Sequence, residues 1–433
     1  MTTRYVFIHL PGQLDAVPAG RLELVSAGGQ LHTSRYRYGN VYLQRGDRME
    51  VDPISLPLLA GDDYERTPVN GLELFGAIRD ASPDAWGRRV IENRLRRPGP
   101  LPEVDYLDNA GSDRSGALDI RRDAASPAGA NTLPHHINLP YLLEAVERID
   151  AGEQVPAQLA QYFDGGPTMG GMRPKAVVVK DGRQYVAKFP SRRDTRFNVP
   201  SVEFATLSLA KLSGLNVPDI DLVQLGRDQS VMMIERFDRE PVEGGLARRH
   251  MVSGLTMLGM QEMQSPDGSY AALADVISTR GVAANVQADR TELFKRMVFN
   301  ILVTNNDDHL RNHAFLFGQS TALANGERKG YWRLSPLYDV VPSPEVGTDR
   351  YLAIGVGEQG RLATLDNALS SAGQFGLHRA DALAIIMEMV ASVRPWKGVF
   401  EDCGVAGRDI DAVERAFRRP MDIGLRQIQR GEN

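Results

Sequence analysis

The chain has 433 residues, 42% of them hydrophobic and 24% charged, with a formal net charge of −5, which is the make-up of a globular protein of two or three domains rather than of a general nucleic-acid binder. Its single cysteine, Cys403, excludes an intramolecular disulfide and a multi-cysteine zinc site, suggests a reducing compartment, and reads as a small core hydrophobe. No apolar run approaches the length of about eighteen residues that a membrane span needs, and MTTRYVFIHLPG lacks the features of a signal peptide, so a cytoplasmic location is expected.

From Tyr5 to about residue 59, the runs YVFIHL, RLELV and VYLQ, each bounded by Gly, Pro or Asp, predict a small strand-rich unit. Residues 72–95 read as helical around a polar interruption, ASPDAWGRR, in which Ser82 suits the cap, Pro83 the first position and Asp84 the positive first turn. Trp86 and Arg88 read as a packed aromatic and a solvated charge. GSDRSGALDIRRD predicts a turn into a strand, and the Ala, Ser, Gly and Pro content of residues 123–134 predicts a linker at a domain boundary.

After a short helix over 139–149 comes DGGPTMGGMRPK, with Gly165, Gly166, Gly170 and Gly171 in one loop, where the backbone can approach a phosphate closely. Neither Gly-x-Gly-x-x-Gly nor the Walker pattern is present, since Met172 follows the last glycine, and alone the segment fits a plain loop better than a phosphate site. KAVVV, the turn signal Asp181-Gly182 and QYVAKF then predict a hairpin whose second strand carries Lys188 near its end. A glycine loop with a lysine one hairpin later is the order of a kinase small lobe. Pro200 and Ser201 start a predicted helix with Phe204, Leu207 and Leu212 on one side and Gly214 closing it. Glu203, placed in its first turn, either orients Lys188 or complements the helix dipole. IDLVQL and SVMMI then lead to Glu235, Arg236, Phe237 and Asp238, a strand exit of the kind that offers backbone hydrogen bonds to adenine, with mostly helical segments beyond, including 382–393.

Within LFKRMVFNILVTNNDDHLRN, Leu293, Met297, Ile301 and Leu302 predict a helix that buries one face, and Asn305, Asn306, Asp307 and Asp308 predict a loop held against its end. Asp307 and Asn312 are separated by four residues, the Asp-x-x-x-x-Asn spacing of a kinase catalytic loop. Asp339, in YWRLSPLYDVVPS, is expected at a strand end where a metal-binding Asp belongs, although no Phe-Gly follows it. Each of these alone also fits a turn-forming loop without chemistry; their order along the chain favours the kinase reading.

Taken together, GGMRPKA, YVAKFP, IERFD, NNDDHLRN and LYDVVP resemble the HipA-type serine/threonine kinases, the toxin halves of bacterial type II toxin–antitoxin pairs, and SPDAWGRR and GSDRSGAL resemble that family's N-terminal subdomain. The resemblance implies an α+β, bilobal protein-kinase-like fold: a strand-rich N-terminal cap over 1–135, a small lobe over 136–238 and a mostly helical large lobe over 239–433. It implies ATP and Mg²⁺ as cofactors and a protein Ser/Thr hydroxyl as acceptor. By motif position Asp307 would be the catalytic residue, while Asn312 and Asp339 would hold magnesium. Gly170, Gly171, Met172, Arg173, Pro174 and Lys175 would line the phosphates and Lys188 would contact them. Glu235, Arg236 and Phe237 would meet the adenine, with His309, Leu310, Arg311 and Tyr338 completing the nucleotide pocket. Thr168 stands nearest the position where the family commonly has a regulatory phosphorylated serine. A helix-turn-helix antitoxin is the implied partner, and neither a membrane nor direct nucleic-acid binding is expected. Two alternatives are a small-molecule kinase and a catalytically weak nucleotide-binding corepressor of a DNA-binding antitoxin; the filled catalytic positions argue against the latter.

Overall fold

The computed structural model describes residues 1–58, 64–97, 99–128, 133–156, 171–226, 229–319, 330–344, 347 and 349–431. Their strands are β1 (Thr2–His9), β2 (Ala16–Ala27), β3 (Gln30–Tyr38), β4 (Leu118–Arg121), β5 (Lys175–Lys180), β6 (Arg183–Lys188), β7 (Ile220–Gln224), β8 (Ser230–Glu235), β9 (Arg239–Val242), β10 (Gly245–Arg248), β11 (Met251–Ser253), β12 (Ala314–Gln319) and β13 (Gly330–Leu334). The chain divides into two compact units, one of Met1–Arg192, Met233–Met260 and Phe315–Tyr331, the other of Arg193–Met232, Gln261–Ala314 and Trp332–Asn433.

In the first unit, β1–β4 form a sheet of order β3-β2-β1-β4. Val6, Ile8, Leu22 and Leu24 are buried at the alternate positions that one sheet face requires. VYLQ is not the expected strand: Asn40–Leu43 is a single helical turn, with the buried Tyr42 hydroxyl donating to Met49 O at 2.7 Å. The cap of the next motif also differs from expectation. Ser82 Oγ turns back to Ile78 O at 2.8 Å, closing helix Gly76–Asp80, and Asp84 is the cap of helix Ala85–Leu95, accepting from Gly87 N at 2.7 Å. β5 and β6 pair from Lys175↔Lys188 to Lys180↔Arg183. Asp181 and Gly182 take φ of 50° and 73°, the tight turn whose twist matches the strands. Past Glu235 the chain first stays extended, through the β9–β10 hairpin and β11, before the mostly helical segments that were expected begin at Gly254, with β12 and β13 as further strands among them. REPV and GLAR are too short to show alternation, and a short apolar run such as AFLF cannot be told from a buried helix by periodicity.

The second unit is mainly helical. Helix Val199–Leu212 starts at Asn198, whose side chain accepts from Ser201 N at 3.1 Å. It buries Val202, Ala205, Thr206, Leu209 and Ala210, whereas Leu212, expected on the apolar side, is 71% exposed. Glu203 lies beyond the first turn and is buried, which removes it from the dipole position. Helix Ala283–Val303 was expected to bury one face; from Leu293 onward every residue except Lys295 is buried. Arg296 enters this interior because Glu292 neutralises it at 2.9 Å and Ser335 O accepts from it at 2.6 Å. Cys403 is half-buried rather than a core residue, and burial pushes its thiol up, an inert setting. No helix among the described residues is long and apolar enough to cross a membrane.

Candidate active site

Helix Ala283–Val303 ends at Thr304, whose left-handed φ of 51° turns the chain out of the buried helix into the loop that follows. Two adjacent aspartates then take opposite environments. Asp307 is exposed, and its carbonyl oxygen accepts from Asn312 Nδ2 at 3.0 Å and from His309 N at 2.8 Å, which ties the ends of the five-residue interval together. Asp308 is buried. Its Oδ2 accepts from Asn300 Nδ2 at 2.8 Å, from His313 Nε2 at 3.0 Å and from the Tyr270 hydroxyl, all of them buried. Burial works against ionisation, but His313 and these hydrogen bonds hold the Asp308 carboxyl below its usual range, while burial and the Asp308 charge push the Tyr270 phenol well up. The loop therefore rests on a buried polar floor.

Neighbouring site candidates are tied to the same loop. Tyr338 Oη donates to Arg311 O at 2.7 Å, Arg311 Nε to Glu262 Oε1 at 2.5 Å, and Leu310 N to Ser265 Oγ at 3.2 Å. His309 Nδ1 is buried with no partner among the described residues. Asp339 is half-buried and does not sit at a strand end: β13 stops at Leu334, and Asp339 holds a left-handed φ of 60°. That conformation costs a non-glycine residue about 1–3 kcal/mol, and such costs cluster at functional positions. The described residues contain no cluster of three or more His, Cys, Asp or Glu side chains that could hold a metal. Asn312 and Asp339 would instead offer oxygen atoms only, a donor set that suits magnesium completed by phosphate and water. With its Nδ2 donating to Asp307 O, the amide oxygen of Asn312 is the atom that can meet a cation.

In the first unit, Thr168 and Gly170 lie outside the described residues. Gly171 has a φ of +102°, Met172 and Arg173 are exposed, and Pro174 O accepts from Phe189 N at 3.0 Å, locking the loop exit to the far end of the hairpin. Lys188 is the last residue of β6 and half-buried. Lys175 does not point outward: it is buried, with Nζ 2.7 Å from Asp84 Oδ2, and Trp86 Nε1 donates to its carbonyl oxygen at 2.9 Å. Glu235 accepts from Arg183 at 2.9 Å. Arg236 is buried and its guanidinium faces inward, 2.8 Å from both Asp113 and Asp238, so in 235–237 the main chain is the part suited to meet a base. Arg239 completes a buried quartet, 2.6 Å from Asp113 and 2.8 Å from Asp238, and Gly116 N donates to Asp238 at 2.8 Å. Against the cost of burial, the two guanidiniums hold both carboxyls below their usual range. Sequence reasoning gave Asp84 and Asp308 only local helix-start and turn roles and assigned none to Asp113, Tyr270 or His313. Beyond that, Asp84, Asp113 and Asp308 carried a signal only as members of the motifs SPDAWGRR, GSDRSGAL and NNDDHLRN, and Tyr270 and His313 lie outside them.

The description of the HipA-like C-terminal domain matches residues 168–396, more than half of the chain. The chain belongs to the HipA-type kinase family. Among curated HipA relatives, the serine/threonine-protein kinase toxin HipA of Shewanella oneidensis is 27% identical over 237 residues, 48% of this chain and 52% of its own length. The putative kinase Y4dM of Sinorhizobium fredii is 28% identical over 197 residues, 42% of this chain and 44% of its own. The chain thus spans about half the length of these relatives, whose names are those of kinases. A chain from the solved complex of Shewanella oneidensis HipA, HipB and operator DNA is 18% identical with a TM-score of 0.64, over 98% of this chain and 97% of that one. The HipA likeness of fold therefore extends ahead of residue 168.

Proposed function

We propose that the chain is an ATP- and magnesium-dependent serine/threonine protein kinase of HipA type that phosphorylates a cellular protein, arrests growth and is held in check by a helix-turn-helix antitoxin. The two-lobed organisation with an N-terminal cap belongs to the same proposal. The observation that carries it is the loop 305–312, where one aspartate is exposed and its neighbour fixes the backbone from below. Magnesium–ATP, when bound, supplies the transferable phosphoryl group and the neutralisation that transfer needs. Asp307 accepts the hydrogen of the incoming hydroxyl and orients its oxygen, a contribution of about 10²–10⁴-fold where proton transfer is involved. Asn312 and Asp339 hold the cation. Lys188 and the segment 170–175 are the phosphate contacts of this proposal, the main chain of Glu235, Arg236 and Phe237 is its base contact, and His309, Leu310, Arg311 and Tyr338 are its further nucleotide contacts. A phosphate on Thr168, just ahead of Gly171 in the sequence, would add roughly −1.5 to −2 charges to that loop and shut the enzyme down.

The test is to incubate purified protein, wild type and Asp307→Ala, with labelled ATP and host lysate and to identify the labelled bands. Protein bands that need Asp307 are expected, with a small helix-turn-helix protein recovered alongside the chain from its native host. ATP turnover without labelled protein would move the reading to a small-molecule kinase, and equal labelling by both forms would overturn the assignment of Asp307.

A further inference from the structure

The SPDAWGRR motif has no part in the proposed chemistry, yet its aspartate joins two elements. Oδ1 of Asp84 accepts from Gly87 N at 2.7 Å and so starts helix Ala85–Leu95, while Oδ2 takes the Lys175 ammonium at 2.7 Å, with the two side chains 6% and 3% exposed. Trp86, two residues on and fully buried, donates its Nε1 to Lys175 O at 2.9 Å, so Lys175 is gripped at both its side chain and its main chain. Lys175 in turn underlies the exit of the glycine-rich loop: a Cβ on Gly171 would lie 3.1 Å from Lys175 Nζ. Lys175 is also the residue directly opposite Lys188 in the β5–β6 ladder. Partners in such a ladder project from the same face, and like charges there destabilise the pair unless one is neutralised.

We propose that Asp84 is a positioning residue for the phosphate-binding end of the site: by fixing and neutralising Lys175 it seats the loop exit at Gly171. The inference rests on the ATP-site reading above, and its test has a sign that a merely electrostatic or structural role would not give. Asp84→Asn removes a negative charge near the phosphate site, so Coulomb interaction alone would tighten the binding of a triphosphate. Loss of positioning would weaken it. Asn caps a helix as well as Asp does, so the fold is kept.

Calorimetric titration of magnesium–ATP into the full chain is expected to show about tenfold weaker binding for Asp84→Asn, equivalent to about 1.4 kcal/mol. Trp86→Phe, which changes no charge, should shift affinity in the same direction. Hydrogen exchange at residues 171–175 should quicken in both variants without ligand. Unchanged or tighter binding by Asp84→Asn would overturn the inference. Failure of the wild type to bind magnesium–ATP would sink the proposed function instead, and unchanged exchange at 171–175 would then refute the anchor on its own.

Discussion

Asp307 and Asp308 are adjacent in sequence and chemically identical, so substituting each by alanine separates what the loop does from what holds it. Asp308→Ala leaves the Tyr270 hydroxyl, Asn300 Nδ2 and His313 Nε2 without their shared acceptor, and none of these residues is more than 0% exposed. An orphaned buried donor costs about 1–3 kcal/mol. Three give an upper bound, which is reduced because Asn300 Nδ2 also reaches Tyr270 Oη at 3.1 Å. The expected loss is therefore about 3–5 kcal/mol, the range for breaking a buried charged network. Asp307 is exposed, and alanine there should cost under about 1 kcal/mol. Urea unfolding followed by tryptophan fluorescence, with Trp332 and Trp396 in the same unit, measures both. Asp308→Ala should lower the midpoint without changing the slope. A loss below about 1 kcal/mol for Asp308→Ala, or equal losses for the two variants, would refute the reasoning.

Burial lowers His250 to about 4 and His9 to about 3, so each is neutral in the folded chain at pH values where the unfolded chain takes up a proton. Stability should therefore fall as pH drops below about 6.5, by up to about 1.4 kcal/mol per unit for each histidine, and His250→Gln should flatten that slope in urea titrations. Asp113 and Asp238 are depressed below 3.8, so their contribution is intact above about pH 4 and lost only as pH falls further; Asp113→Asn should remove part of this acid limb. Gly116→Ala forces a side chain onto a φ of +70° with its Cβ 2.9 Å from Met251 N, and should cost about 1–3 kcal/mol in the same denaturation assay. Lys188→Met should sharply reduce turnover and weaken ATP binding, because a neutral side chain cannot offset phosphate charge; unchanged values for both would show that another residue meets the phosphates.

What the sequence made legible was local. Asp181-Gly182 dictates a turn type, hence the β5–β6 register and the place of Lys188 at a strand end, and the polar run after Val303 dictates where the buried helix stops. The resemblance of five motifs identified the family that residues 168–396 match. Unread were features fixed by distant partners. Asp113 meets Arg236 across 123 positions and Asp84 meets Lys175 across 91, and no periodicity signals such pairs. Ser82 loses the cap to Asp84 because its hydroxyl has a nearer acceptor in Ile78 O, a choice that propensity alone leaves open. Asp339 was misplaced because a run of aromatic and apolar residues extends past Leu334 while the strand does not.

The buried quartet limits how this chain can be cut and recombined. Arg236 and Arg239 lie inside the family-matched region, but one of their two counter-charges, Asp113, comes from a loop well ahead of it. A fragment begun at the matched boundary would carry two guanidiniums and a single carboxylate in a pocket shaped for two of each. Such a fragment is not a portable cassette. Exchange of the N-terminal segment between relatives, by an engineer or by recombination, is constrained to bring an acidic residue at the position of Asp113 with it, or to replace Arg236 and Arg239 in the same step.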